Sequence, residues 1–147
     1  MFRFVPTKLH GYMSPEQAKD ILMQNDGFSK WMDLDIEKVD HGYCKLHYTI
    51  RPEMLNGFGT VHGGVLFSAS DSALAFACNS HGILSVAMDV SISYTRPAVE
   101  GQRLTVEAQE INLGKTTGLY DIKTYNADGK LVCVFKGTVY RTGKPVA

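Results

Sequence analysis

The carboxylate of Asp71 stands in the least polar stretch of the chain. Its neighbours run Val65-Leu66-Phe67-Ser68-Ala69-Ser70 before it and Ser72-Ala73-Leu74-Ala75-Phe76-Ala77-Cys78 after it, with no Lys or Arg within four residues on either side. An unpaired carboxylate in apolar surroundings costs roughly several kcal/mol, so its presence calls for an explanation. It either serves as a general base or nucleophile, or it meets a distant lysine or caps a loop in a structural network.

His62-Gly63-Gly64 precede that stretch and stand where the chain would enter a helix. The first backbone N–H groups of a helix lack internal acceptors and carry the positive end of its dipole, a setting that can hold an anion or a developing oxyanion. A glycine-rich connection with a solvated histidine is the plainer alternative. Asn56-Gly57 alone reads as a turn. Gly63 and Asp71 are eight residues apart, which on one helix is about 12 Å along the axis. One reacting carbonyl cannot touch both, so a site that uses both needs a second copy of the chain across a two-fold axis. Other chemistry is poorly supported. His10, His41, His47, His62 and His81 form no metal-binding spacing, the serines form no G-x-S-x-G, and Asp89 reads as a second acid in an apolar run or a solvent-facing residue.

Several elements must position these residues. Ser14-Pro15-Glu16-Gln17 predicts a capped helix start running to about Gln24. Alternation of Leu34 and Ile36, then of residues 43–50, broken at Asp40-His41-Gly42, predicts a hairpin. Gly63 to about Ser80 reads as a helix apolar nearly all round, hence buried. Four alternating runs follow, around Val86–Tyr94, Leu104–Ala108, Tyr120–Thr124 and Leu131–Phe135, with short turns between them that imply antiparallel neighbours. An α+β fold, a curved antiparallel sheet wrapped around one long central helix, is the simplest way to bury that helix. We expect one domain overall: an arm and short helix over residues 1–30, its first dozen residues loosely docked, and the main body over 31–147.

Composition bounds the function. The 147 residues are 44% apolar and carry 15 basic against 15 acidic side chains, so no broad field gathers nucleic acid or anionic lipid. No apolar run is long enough to span a bilayer and the N-terminus has no export pattern, which predicts a cytoplasmic chain. Cys44, Cys78 and Cys133 lie far apart in apolar contexts and read as reduced core thiols.

The run Asn56-Gly57-Phe58-Gly59-Thr60-Val61-His62-Gly63-Gly64, followed by Asp71, resembles the N-x-x-G-x-x-H-G-G-(x)6-D signature of hotdog-fold acyl-CoA thioesterases. It is most similar to the phenylacetate-degradation (PaaI-type) branch. Ala75–Ser80, Arg96-Pro97, Gly114–Gly118 and Tyr120–Ile122 extend the likeness. The resemblance implies a hotdog fold and a Gly63 amide that polarises the thioester carbonyl. It further implies a base or nucleophile at Asp71 of the partner subunit, with His62 and Asn56 orienting thioester and water. It places coenzyme A along Gly64, Tyr94, Thr95, Arg96, Pro97 and the turn with Lys115, where Arg96 and Lys115 would meet phosphates. Ala87 stands where related enzymes have a Ser or Thr helper. The acyl-CoA is the substrate, and the chemistry asks for no metal or organic cofactor. The acyl group would be aromatic or of short to medium length, held in a cleft lined by Phe58, Val65, Phe67 or Phe76. The chain would form a homodimer that pairs into a tetramer over a partly apolar outer sheet face. A non-catalytic acyl-CoA-binding module and a hotdog hydratase or dehydratase are the alternatives: Asp71 separates the first, which would not need a buried acid, and the His-Gly-Gly entry together with Asp71 separates the second.

Overall fold

A computed structural model describes residues 13–147; the docked arm expected over the first dozen residues lies outside them. Ser14 caps α1 (Pro15–Asn25) as its spacing predicts. Its hydroxyl accepts from Gln17 N at 3.1 Å, and the Gln17 side-chain oxygen accepts from Ser14 N at 2.9 Å. Asp26 then starts a second helix, α2 (Gly27–Trp31), which the sequence reading did not anticipate. Its two sides differ: Ser29 and, one turn on, Met32 are fully buried, whereas Phe28 and Trp31 stand about half exposed. The described part of residues 1–30 therefore packs on the main core rather than beside it.

The sheet contains β1 (Asp35–Asp40), β2 (Tyr43–Thr49), β3 (Ile83–Tyr94), β4 (Arg103–Leu113), β5 (Thr117–Tyr125) and β6 (Leu131–Pro145). All pairings are antiparallel, in the order β1-β2-β4-β5-β6-β3. α3 (Gly63–Asn79) lies against all six strands, so the sheet curls around it. Leu66, Leu74 and Phe76 of α3 meet Leu46, Tyr48, Val106, Ile122 and Phe135 in one core. Gly137 sets the closeness of that approach, because a Cβ there would lie 2.8 Å from Leu74 Cδ2. This is the α+β hotdog arrangement, a six-stranded antiparallel sheet around a central helix.

Two details differ from expectation. α3 is not apolar all round: Gly64 and Asp71 are exposed and Ser68, Ser72 and Ala75 partly so. Positions 64, 68, 71 and 75 form one stripe at helical spacing, and their small side chains account for the misleading apolar count. The outer sheet face is polar in its middle rows, which read Tyr43–Gln109–Asp121–Lys136–Ser91 and Lys45–Glu107–Lys123–Val134–Ser93, and its apolar part lies not at Leu131 to Phe135 but where Val86 pairs with Tyr140, both about half exposed.

Candidate active site

The start of α3 is an accounting problem in N–H groups. His62 is the N-cap, with extended backbone angles (φ −63°, ψ 135°), and its ring Nδ1 accepts from Gly64 N at 2.8 Å. That bond puts the proton of the neutral ring on Nε2, which then faces out as a donor. Val65 N and Leu66 N donate to His62 O at 2.9 and 3.4 Å. The Gly63 N–H alone has no acceptor among the described residues. It sits at the positive end of a 17-residue helix, which favours negative charge in front of it.

A cleft of about 420 Å³ opens beside this amide, lined by Asn56, Thr60, Gly63, Tyr94, Arg96 and Pro97 among others. The end of β3 forms its far wall. Tyr94 Oη donates to Gly63 O at 3.0 Å, and a Cβ on Gly63 would lie 3.0 Å from that ring, so glycine is what lets the tyrosine close in. Thr95 Oγ1 donates to Leu131 O at 2.8 Å, which fixes the segment that carries Arg96, and Val61 N donates to Ala98 O at 2.8 Å, tying the glycine loop to the same segment. Arg96 is exposed, and its guanidinium makes no hydrogen bond among the described residues. Asn56 serves chiefly its own loop: its Oδ1 accepts from Phe58 N at 2.9 Å and Thr60 N at 3.2 Å, and its Nδ2 donates to Thr60 Oγ1 at 3.0 Å. Phe58, at the tip, is 93% exposed and lines no part of the cleft.

Asp71 lies two turns further along α3, about 12 Å from Gly63 along the axis. In the single chain its side is open, not buried as expected. Even so, the apolar groups around it strip part of its hydration and push its carboxyl above the ordinary value of 3.8. No described residue hydrogen-bonds it. It faces two clefts, one toward β3 with Leu74, Ala75, Cys78, Ser85, Val86 and Ala87, the other toward α2 with Asp26, Phe28, Phe67, Ser68 and Ser72. Of the aromatic candidates for an acyl pocket, Phe67 is present there, Phe76 is buried in the core and Phe58 points away. Phe28 lines this cleft beside Phe67, and the sequence alone does not point to it, because α2 is only five residues long.

The structure thus brings together Asn56, His62, Gly63, Gly64, Tyr94, Thr95, Arg96 and Pro97, and leaves Asp71 and Lys115 apart from them. Lys115 sits in the β4–β5 turn, two residues before Thr117, which pairs with Tyr140, while Tyr94 pairs with Cys133. Seven positions along β6 separate those partners, about 23 Å at about 3.3 Å per residue. One molecule bound at Tyr94–Pro97 would not meet Lys115 of the same chain. Val86 also pairs with Tyr140, so Lys115 shares the Asp71 end of the fold. Among the described residues no three His, Cys, Asp or Glu side chains cluster to hold a metal ion, and no helix is long and apolar enough to cross a membrane.

Comparison with known proteins fits this geometry. Residues 58–133 match the thioesterase superfamily. The chain is 41% identical over 127 residues to the acyl-coenzyme A thioesterase PaaI of Escherichia coli K12, covering 86% of this chain and 91% of that protein. The solved E. coli PaaI protein from the phenylacetic acid degradation operon superposes with a TM-score of 0.87 at 39% identity, covering 89% and 95% of the two chains. A structure described as a hypothetical thioesterase protein with coenzyme A, from Streptococcus pneumoniae TIGR4, superposes with a TM-score of 0.79 at 28% identity, covering 86% and 98%. An unclaimed helix-terminal amide, a separate desolvated carboxylate and these likenesses lead to one conclusion: the chain belongs to the hotdog thioesterase superfamily.

Proposed function

We propose that the protein hydrolyses acyl-CoA thioesters to the free acid and coenzyme A, in the cytoplasm, at a site shared by two copies of the chain. The observation that carries this reading is the Gly63 N–H, left without an acceptor at the positive end of α3 and opening on the Tyr94–Pro97 cleft. The 12 Å between Gly63 and Asp71 then requires the acid to be the partner's Asp71.

In this reading a water bound to that carboxylate gives up a proton as its oxygen bonds to the carbonyl carbon. The carbonyl electron pair moves to oxygen, where the Gly63 N–H receives it. The His62 Nε2–H and the loop ordered by Asn56 position thioester and water. The tetrahedral species then collapses, the C–S bond breaks, and the thiolate leaves with the proton held by Asp71. A carboxyl raised above its ordinary value is the better base for this step. The coenzyme A tail follows Gly64, Tyr94, Thr95 and Pro97, with Arg96 on its phosphates. Lys115, at the Asp71 end, would contribute only as Lys115 of the partner subunit. The proposed dimer uses the open edge of β3. A further pairing into a tetramer would use the outer face, where the charged rows adjoin the half-exposed Tyr140.

Purified protein should hydrolyse aromatic or short-to-medium acyl-CoA thioesters with chelator present, read by release of the free thiol across an acyl panel. No turnover on any member, or activity that chelator abolishes and zinc restores, would overturn the reading.

A further inference from the structure

We propose that Phe28, on α2, determines acyl specificity, forming with Phe67 the apolar wall that takes the acyl group and favouring flat, aryl-type acyl thioesters. This rests on the thioesterase reading and goes beyond it by naming the wall.

The cleft toward α2 is the larger of the two beside Asp71, about 370 Å³ against about 210 Å³. Its polar lining is already satisfied within the chain. Ser68 Oγ donates to Gly64 O at 2.7 Å. Ser29 Oγ donates to Asp26 Oδ2 at 2.6 Å and lies 3.2 Å from Ser72 Oγ. What remains open is the Asp71 carboxylate, the two phenyl rings and Ala75, with the Ser29-bonded Asp26 carboxylate at the rim beside α2, which suits an apolar group carrying a reacting carbonyl at one end.

Both rings are held in place. Phe67 packs edge-on against Phe135 with centroids 5.2 Å apart. α2 is anchored on one side by Ser29 and Met32, fully buried, and at its end by Arg51, whose Nη2 donates to Trp31 O at 2.7 Å while its guanidinium lies 5.0 Å over the Trp31 ring. Phe28 is thus presented on a fixed helix, about half exposed and 5.8 Å from Trp31. An anchored element that shows the Phe28 ring to solvent in the cleft beside this carboxylate is better explained by a ligand than by folding. A flat ring can stack offset or edge-on against Phe28 and Phe67, a gain that a small alkyl group does not share.

The test compares kcat/KM for phenylacetyl-CoA and acetyl-CoA. Phe28→Ala should lower the phenylacetyl-to-acetyl ratio at least about tenfold, mainly through KM, as expected when one pocket wall is lost. Phe28→Leu, which keeps apolar bulk without the ring, should lower the ratio as well, and Phe28→Tyr should restore it. A folded Phe28→Ala and Phe28→Leu pair with the wild-type ratio overturns the assignment and leaves the thioesterase reading standing. Failure of the wild-type protein on every thioester overturns that reading instead.

Discussion

At the scale of single residues, Asp71 illustrates a conflict between stability and use. Its folded carboxyl is raised by desolvation, so the folded state holds its proton more tightly than the unfolded chain does. Stability linked to this group is present in full below the unfolded value and is lost as pH rises through the folded one. At neutral pH the ionised side chain is a burden that an amide of the same shape would not carry. Asp71→Asn should therefore melt above the wild type at pH 7 while kcat falls at least about a hundredfold, the usual scale for losing a general base. The acid limb of wild-type kcat/KM should lie above 3.8. A folded Asp71→Asn protein with full activity would make the residue structural. For His62 and Gly63, types and spacing alone give a helix start, and only the neighbouring Asn56 and Asp71 make of it a motif. Asn56 shows the opposite limit, since its type fits both a turn and a reactive site, and only the hydrogen bonds show how fully the loop engages it.

At the scale of elements, the two edges of the sheet differ. Both carry irregularities, but β1 is short and bears charge, the usual protection for an edge. β3 runs for 12 residues and leaves Val86 and Met88 about half or more exposed. Its neighbour in space is the small-residue stripe of α3, so a second copy laid along β3 would also reach Asp71. Replacing Val86 and Met88 together by Asp should shift sedimentation toward monomer and lower activity per chain in step; a dimer that persists at full activity would remove β3 from the interface. α1, the hairpin, α3 and the four strands were legible because each has a cap, a period or a turn of its own. α2 was not, since five residues after Asp26 give too short a window for periodicity. The exposure of α3 was missed because Gly, Ser and Ala score as neutral whether they line a core or permit close approach.

At the scale of the whole molecule, the division between a Gly63 half and an Asp71 half can be tested by complementation. Gly63→Pro removes the amide donor at the first helical position, where proline is tolerated. The residue before a proline must be extended, and His62 already is (ψ 135°). The added ring would press on Tyr94, which is exposed and can swing aside. Refolding Gly63→Pro with Asp71→Asn gives mixed dimers in which one site carries both defects and the other neither. With random pairing about a quarter of wild-type activity should return. Mixed dimers confirmed by mass but without activity would mean that each chain holds a complete site.

The cap at His62 also limits which bonds can be cut. Because Nδ1 already holds the Gly64 N–H, this chain offers a forming oxyanion one free backbone donor where acyl-transfer sites often gather two. Each missing donor costs about 3 kcal/mol in the barrier. A thiolate is a willing leaving group, with a thiol pKa of about 8.5, and can bear that cost. An alkoxide from an alkyl ester, nearer in basicity to hydroxide, is far less able to, and an amide nitrogen less still. On the proposed reading, then, the way the helix is capped suits the site to activated acyl groups, and an oxygen ester or amide of the same acid should be cleaved far more slowly than its thioester.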